Sequence, residues 1–174
     1  EEIYLTGGEP TIIHEQHKLL QHCIDNGTAK NIRLKYNINM TNIPNHLLEM
    51  WTHFKRVQLN CSIDATGDLN RYIRYPSQWV TINKTWDQIR KLDNVDYEIH
   101  CTVQMYNRVL PTQLKDLAAE RLAPYLGMEK VQGVIDYMYA EDWSVDYPKF
   151  LEYTRILDES RGEKLIDIVP ELIV

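Results

Sequence analysis

The segment Tyr4-Leu5-Thr6-Gly7-Gly8-Glu9-Pro10 concentrates chemical capacity in few residues. Two adjacent glycines at the exit of an apolar strand allow backbone angles closed to other residues. They also let the main chain approach a ligand closely, with N–H groups turned towards it. Glu9 adds an anionic acceptor at that exit, and Pro10 fixes the direction of the chain into a helix. Such a turn suits a ligand carrying a cationic amino group. Taken alone, the same residues make a tight βα turn, and without further context that plainer reading comes first.

Other groupings offer less. His14 and His17, with His22 and Cys23 further along, mimic a metal site on one helix, but no fourth convergent ligand is evident and a solvated helix face is expected. Asp64 and Asp68 flank a turn, where capping rather than cation binding is the expected role. Cys23, Cys61 and Cys101 are far apart and odd in number, and they read as reduced, buried thiols. Trp79, Trp86, Tyr137, Tyr139 and Trp143 read as core and rim packing rather than a stacking platform.

Four predicted strands must position these groups: 2–6, 32–40, 56–64 and 97–105. Helical periodicity fills the gaps. Ile13, Leu19, Leu20 and Ile24 lead to the Asn26-Gly27 stop signal, and Asn42 is expected to cap a helix with Leu47, Leu48, Met50, Trp51 and Phe54. After a loop containing Gly67, a Trp-rich helix covers Val80 to Leu92. Spacers of this length exclude hairpins, so the units are βαβ and the sheet is parallel. The expected fold is α/β, a partial (βα) barrel of about four parallel strands over residues 1–107, followed by a helical C-terminal region over 108–174. Helical periodicity in that region runs through Leu114, Leu117 and Leu122, then Val131, Val134 and Met138, then Phe150, Leu151 and Ile156.

The strands alternate. Leu34, Tyr36 and Ile38, with Val57, Leu59, Cys61 and Ile63, and with Ile99, Cys101, Val103 and Met105, form one apolar face. Arg33, Lys35, Asn37, Asn39, Gln58, Asn60, Ser62, Asp64, His100, Thr102 and Gln104 face the other way. Short polar groups towards the strand ends are what a ligand cavity requires.

With this context, the turn closely resembles the Gly-Gly-Glu-Pro motif at the end of the second strand of radical S-adenosylmethionine (radical SAM) enzymes. In that family the motif holds the amino group of SAM, which implies cofactor binding by Gly7, Gly8, Glu9 and Pro10. Lys35-Tyr36-Asn37-Ile38-Asn39-Met40 is similar to the third strand, which commonly ends Thr-Asn; Asn39 matches and Ile38 departs. Gln58-Leu59-Asn60-Cys61-Ser62-Ile63-Asp64 resembles the fourth, whose polar positions, here Ser62 and Asp64, approach the SAM ribose and carboxylate. Arg71-Tyr72-Ile73-Arg74 looks like the place where many members set an arginine near that carboxylate, with Arg74 carried over here, and Asn39 and Gln104 would line the cavity. The tail 157–171 resembles members of the twitch-domain type.

Two departures matter. The family's Cys-x3-Cys-x2-Cys loop, which holds a 4Fe–4S cluster, has no counterpart here, and cluster ligation requires thiolates. The passage from Thr102 to Leu110 also leaves no room for a further βα unit. The resemblance therefore implies an N-terminally truncated radical SAM enzyme. Its intact parent would cleave SAM to a 5′-deoxyadenosyl radical and abstract hydrogen from a small-molecule or peptide substrate. This chain alone is expected to lack that reaction, and no catalytic residue or metal ligand is assigned. The rival expectation is a non-catalytic half-barrel that binds a small ligand or a partner protein.

The 174 residues, 44% hydrophobic and 25% charged with a formal net charge of −6, suffice for one ordinary core and argue against a phosphate-binding surface. No apolar run reaches the length of a membrane span, so a cytosolic chain without nucleic-acid or membrane partners is expected. Open sheet edges should pair with another copy or be covered by C-terminal helices.

Overall fold

The computed structural model describes residues 1–102, 104, 106, 140, 144 and 146–170. The chain divides into two compact units, Glu1–Ile63 with Ser77–His100, and Asp64–Pro76 with Cys101–Val174.

The first unit is built on β1 (Glu2–Leu5), β2 (Arg33–Ile38), β3 (Arg56–Ser62) and β4 (Val95–His100). All neighbours are parallel and their order is β1-β2-β3-β4. The connections carry α1 (His14–Asp25), α2 (Asn45–Trp51), then α3 (Gly67–Ile73), which belongs to the second unit, and α4 (Trp79–Ile89). Strands that advance in one direction through right-handed crossovers receive their helices on a single face. The alternation along β2 and β3 meets that demand. Leu34, Tyr36, Ile38, Val57, Leu59 and Cys61 are buried, as are Leu20, Leu47, Trp51, Ile82, Trp86 and Ile89 from the helices. Trp51 Nε1 donates to the buried Tyr36 hydroxyl at 3.1 Å, which gives both aromatic polar atoms a partner inside the core.

Several expectations need correction. β4 ends at His100, the register partner of Ser62, so Thr102 and Gln104 follow the strand instead of lying on it. It begins earlier than expected, at Val95, because Asn94 Nδ2 donates to the carbonyls of Trp51 and Phe54 behind α2 and presents Val95 to Val57. Ile99 and Cys101 are half-buried, not buried. Asn42 does not cap α2, which starts at Asn45 behind Pro44; the Asn42 carbonyl instead lies 2.8 Å from the Thr11 hydroxyl oxygen, whose single proton goes to the closer, charged Glu9 carboxylate. The Gly67 segment is a helix, α3, rather than a loop. On α1 the buried stripe is His17, Leu20 and Cys23, while Leu19 is exposed, so His17 does not sit on a solvated face. The helix does stop where Asn26-Gly27 predicts, with Gly27 at φ +68°.

The second unit joins α3 to α5 (Tyr147–Arg161) and α6 (Leu165–Ile168). Ala65, Leu69 and Tyr72 share a core with Phe150, Leu165 and Val169. Polar contacts fix the alignment: the Tyr72 hydroxyl donates to Asp158, whose carboxylate also accepts from Leu165 N at the start of α6. Arg161 Nη1 donates to the Tyr72 carbonyl at 2.6 Å, and Arg71 pairs with Glu163. The predicted helical residues Leu114, Leu117, Leu122, Val131, Val134 and Met138 lie outside the described residues. So do Val103, Met105, Tyr137, Tyr139, Trp143 and Glu171. No helix among the described residues is long and apolar enough to cross a membrane.

Candidate functional site

At the C-terminal edge of β1 the chain turns through Gly7 at φ +90° and Gly8 at φ +56°. A Cβ built on either would meet nothing within 4 Å, so these positions demand glycine for backbone conformation and not for space. Glu9 follows, and its carboxylate is held from two directions. Oε1 accepts from the Thr11 hydroxyl at 2.6 Å and from Thr11 N at 3.4 Å, while Oε2 accepts from Asn39 N at 2.8 Å. The side chain thus caps the short 3-10 turn Pro10–Ile12 and staples it to the end of β2. Asn39 Oδ1 accepts in turn from the amide and hydroxyl of Thr41, closing a turn around Met40. Met40 is buried at φ +64°, a left-handed conformation that costs a non-glycine residue energy and is found where neighbouring contacts over-determine the backbone.

Behind this turn lies a histidine pair absent from the expected site. His17 Nε2 is 3.0 Å from the Thr11 carbonyl, and His17 Nδ1 is 3.0 Å from His46 Nε2. A carbonyl only accepts, so Nε2 carries the His17 proton; neutral Nδ1 then accepts from His46. Burial, followed by the neighbouring charges of His46 and His14, outweighs the Thr11 hydrogen bond and holds the His17 pKa below its ordinary 6.5. The unfolded chain therefore protonates first as pH falls. The contribution of His17 to stability is complete above about pH 6.5 and declines as pH drops towards the folded value. In thermal unfolding followed between about pH 7.5 and 5.5, His17→Gln should show a shallower acid loss than wild type. Parallel profiles would remove His17 as the titrating group.

Ser62 sits half-buried at the end of β3. The remaining sequence-predicted residues form a cluster of their own in the second unit. Asp64 is 3% exposed; its Oδ1 accepts from Thr102 N at 2.8 Å, and its Oδ2 accepts from Gln104 Nε2 at 3.4 Å and lies 2.8 Å from Arg74 Nε. Asn70 Oδ1 accepts from the amides of Asp64 and Ala65, fixing the chain that carries the carboxylate. The structure brings Glu9 together with Asn39 in the first unit, and Asp64 with Arg74 and Gln104 in the second. Asp68 is exposed and pairs with Arg71.

No family model, curated protein or solved structure matches this chain.

The cysteines do not fit an iron–sulfur cluster. Cys23 and Cys61 are buried on α1 and β3, and Cys101 lies beyond β4. Burial, reinforced by the Glu9 charge, pushes the Cys61 thiol up. Burial and Asp64 push Cys101 up to about 12, against the opposing effect of Arg74. Both are thereby disfavoured as thiolates, the form that ligates iron. Among the described residues no group of three His, Cys, Asp or Glu side chains could hold a metal ion. Anaerobic reconstitution with iron and sulfide should leave the chain without a stoichiometric cluster, and native thiol titration should miss Cys61. About four irons per chain would contradict this. Thr11 is the residue sequence reasoning missed, although a hydroxyl two positions after Glu9 at a helix start carried a readable signal; Asn60 was placed on the polar strand face without a role, and His17 was placed on a solvated face.

Proposed function

We propose that the C-terminal edge of β1 and β2 binds S-adenosylmethionine, in a radical SAM enzyme of the twitch-domain type whose 4Fe–4S cluster is held by cysteines outside these 174 residues. What supports the reading is the state of Glu9. A carboxylate offers about four lone-pair directions, and the three donors from Thr11 and Asn39 leave room for one more. An ammonium group is the natural complement of an anion fixed beside two left-handed glycines. Reduced by such a cluster, the cofactor supplies hydrogen-abstraction chemistry. The contribution of this chain is to orient Glu9, to keep the Gly7–Gly8 backbone open, and to line the edge with Asn39 and Ser62. Asp64, Arg74 and Gln104, which the resemblance also implies, belong to the second unit, where Asp64 is buried and already holds Thr102 N, Gln104 and Arg74; they form no part of this reading.

A second reading is favoured by the cysteine geometry: a half-barrel that binds a small polar ligand without redox chemistry. Calorimetric titration of the chain with SAM tests the first. Saturable binding is expected, and Gly8→Val should weaken it at least tenfold, about 1.4 kcal/mol. A β-branched residue resists φ +56° even though space is open. No heat of binding, or an unchanged affinity in the variant, would leave only the second reading.

A further inference from the structure

On the polar face of the first unit a row of side chains crosses three strands. Asn60 Nδ2 donates to Asn37 Oδ1 at 2.8 Å, and Asn37 Nδ2 donates to the Tyr4 hydroxyl at 2.7 Å. Asn37 and Asn60 are register partners on β2 and β3, so the row follows the sheet directly. At the Tyr4 end it is open to water, Tyr4 being half exposed. The Asn60 end differs: the residue is 4% exposed, and its Oδ1 has no hydrogen-bond partner. A buried carbonyl oxygen without a donor costs stability, and nearly all such atoms in native proteins are matched.

Reversing both amides does not repair the row. The Tyr4 hydroxyl would then donate to Asn37, Asn37 to Asn60, and the Asn60 amide nitrogen would be left over. In either orientation one polar atom of Asn60 waits for a partner. We propose that Asn60 is a ligand-binding residue, and that it takes a neutral hydroxyl or carboxamide group of a small polar molecule. Such groups both donate and accept, so they complete the row in either sense. A cation is disfavoured, because a neutral amide cannot offset the removal of a charge from water. Asn37 and Ser62 on either side are half-buried. The position lies two residues before Ser62 on β3, roughly 7 Å further from the strand end. It is independent of the SAM reading.

The test uses the full chain, labelled with nitrogen-15, and follows the side-chain amide signals of Asn37 and Asn60. The probes are ribose, acetamide and, as a cationic control, methylammonium. Saturable shifts are expected at both residues with ribose or acetamide and not with methylammonium. Asn60→Leu should weaken the response of Asn37 at least tenfold while its urea midpoint equals or exceeds that of wild type, because the unmatched atom is gone. Absence of a saturable shift with either neutral probe overturns the proposal. So does a lower midpoint in Asn60→Leu, which would make the row a structural device only.

Discussion

Asp64→Ala should destabilise the second unit by about 3–5 kcal/mol, the range for removing one partner of a buried ion pair. Asp64 is nearly inaccessible, and its two oxygens serve Thr102 N, Gln104 Nε2 and the guanidinium of Arg74. Alanine would leave that guanidinium, itself mostly covered, facing a void instead of a carboxylate. It would also release the Thr102 amide. Asp64→Asn keeps an acceptor for Thr102 and should cost less, though the charge on Arg74 stays uncompensated. The double variant Asp64→Leu with Arg74→Met should recover much of the loss, because a buried pair contributes little beyond an apolar pair of similar volume. Urea unfolding followed by tyrosine fluorescence measures all three. A loss below about 1 kcal/mol for Asp64→Ala, the value of an exposed pair, would show that the carboxylate is not the anchor described.

The parallel order of the strands was legible because helical spacers exclude hairpins, and the buried face was legible from period-2 alternation in 32–38 and 57–61. The end of β4 was not, since the alternation of Ile99, Cys101 and Val103 continues past the point where its partner stops. β3 ends at Ser62, so pairing beyond His100 has nothing to pair with. α3 escaped for a different reason. Seven residues make a poor helix alone, and Leu69 and Tyr72 are held by Phe150 and Leu165, far along the chain. In the candidate site, the glycines and Glu9 announce a turn by type and spacing. The partners of Glu9 do not, because Asn39 contributes its backbone amide and not its side chain. His17 was misplaced by its polarity: a histidine on a helix reads as solvated until the Thr11 carbonyl and His46 supply the hydrogen bonds that let it be buried.

Glu9→Gln separates what the carboxylate does for the fold from what it does for a ligand. Glutamine keeps one oxygen, which can accept from Thr11 or from Asn39 N, but its amide must face the other donor. A loss of about 1–2 kcal/mol in unfolding free energy is therefore expected, and about 2–3 kcal/mol for Glu9→Ala, which abandons both. If the ammonium of SAM is also recognised here, Glu9→Gln should weaken SAM binding at least tenfold under conditions where the variant is fully folded, because the charge is gone. Thr11→Val supplies the control. It removes the 2.6 Å hydroxyl contact and leaves the carboxylate and its bond to Asn39 N in place. It should cost about 1 kcal/mol of stability and little of the affinity. Equal loss of SAM binding in Glu9→Gln and Thr11→Val would mean that the geometry of the turn matters and the charge does not. In that case Glu9 is a staple between β1 and β2, and the half-barrel binds its ligand elsewhere.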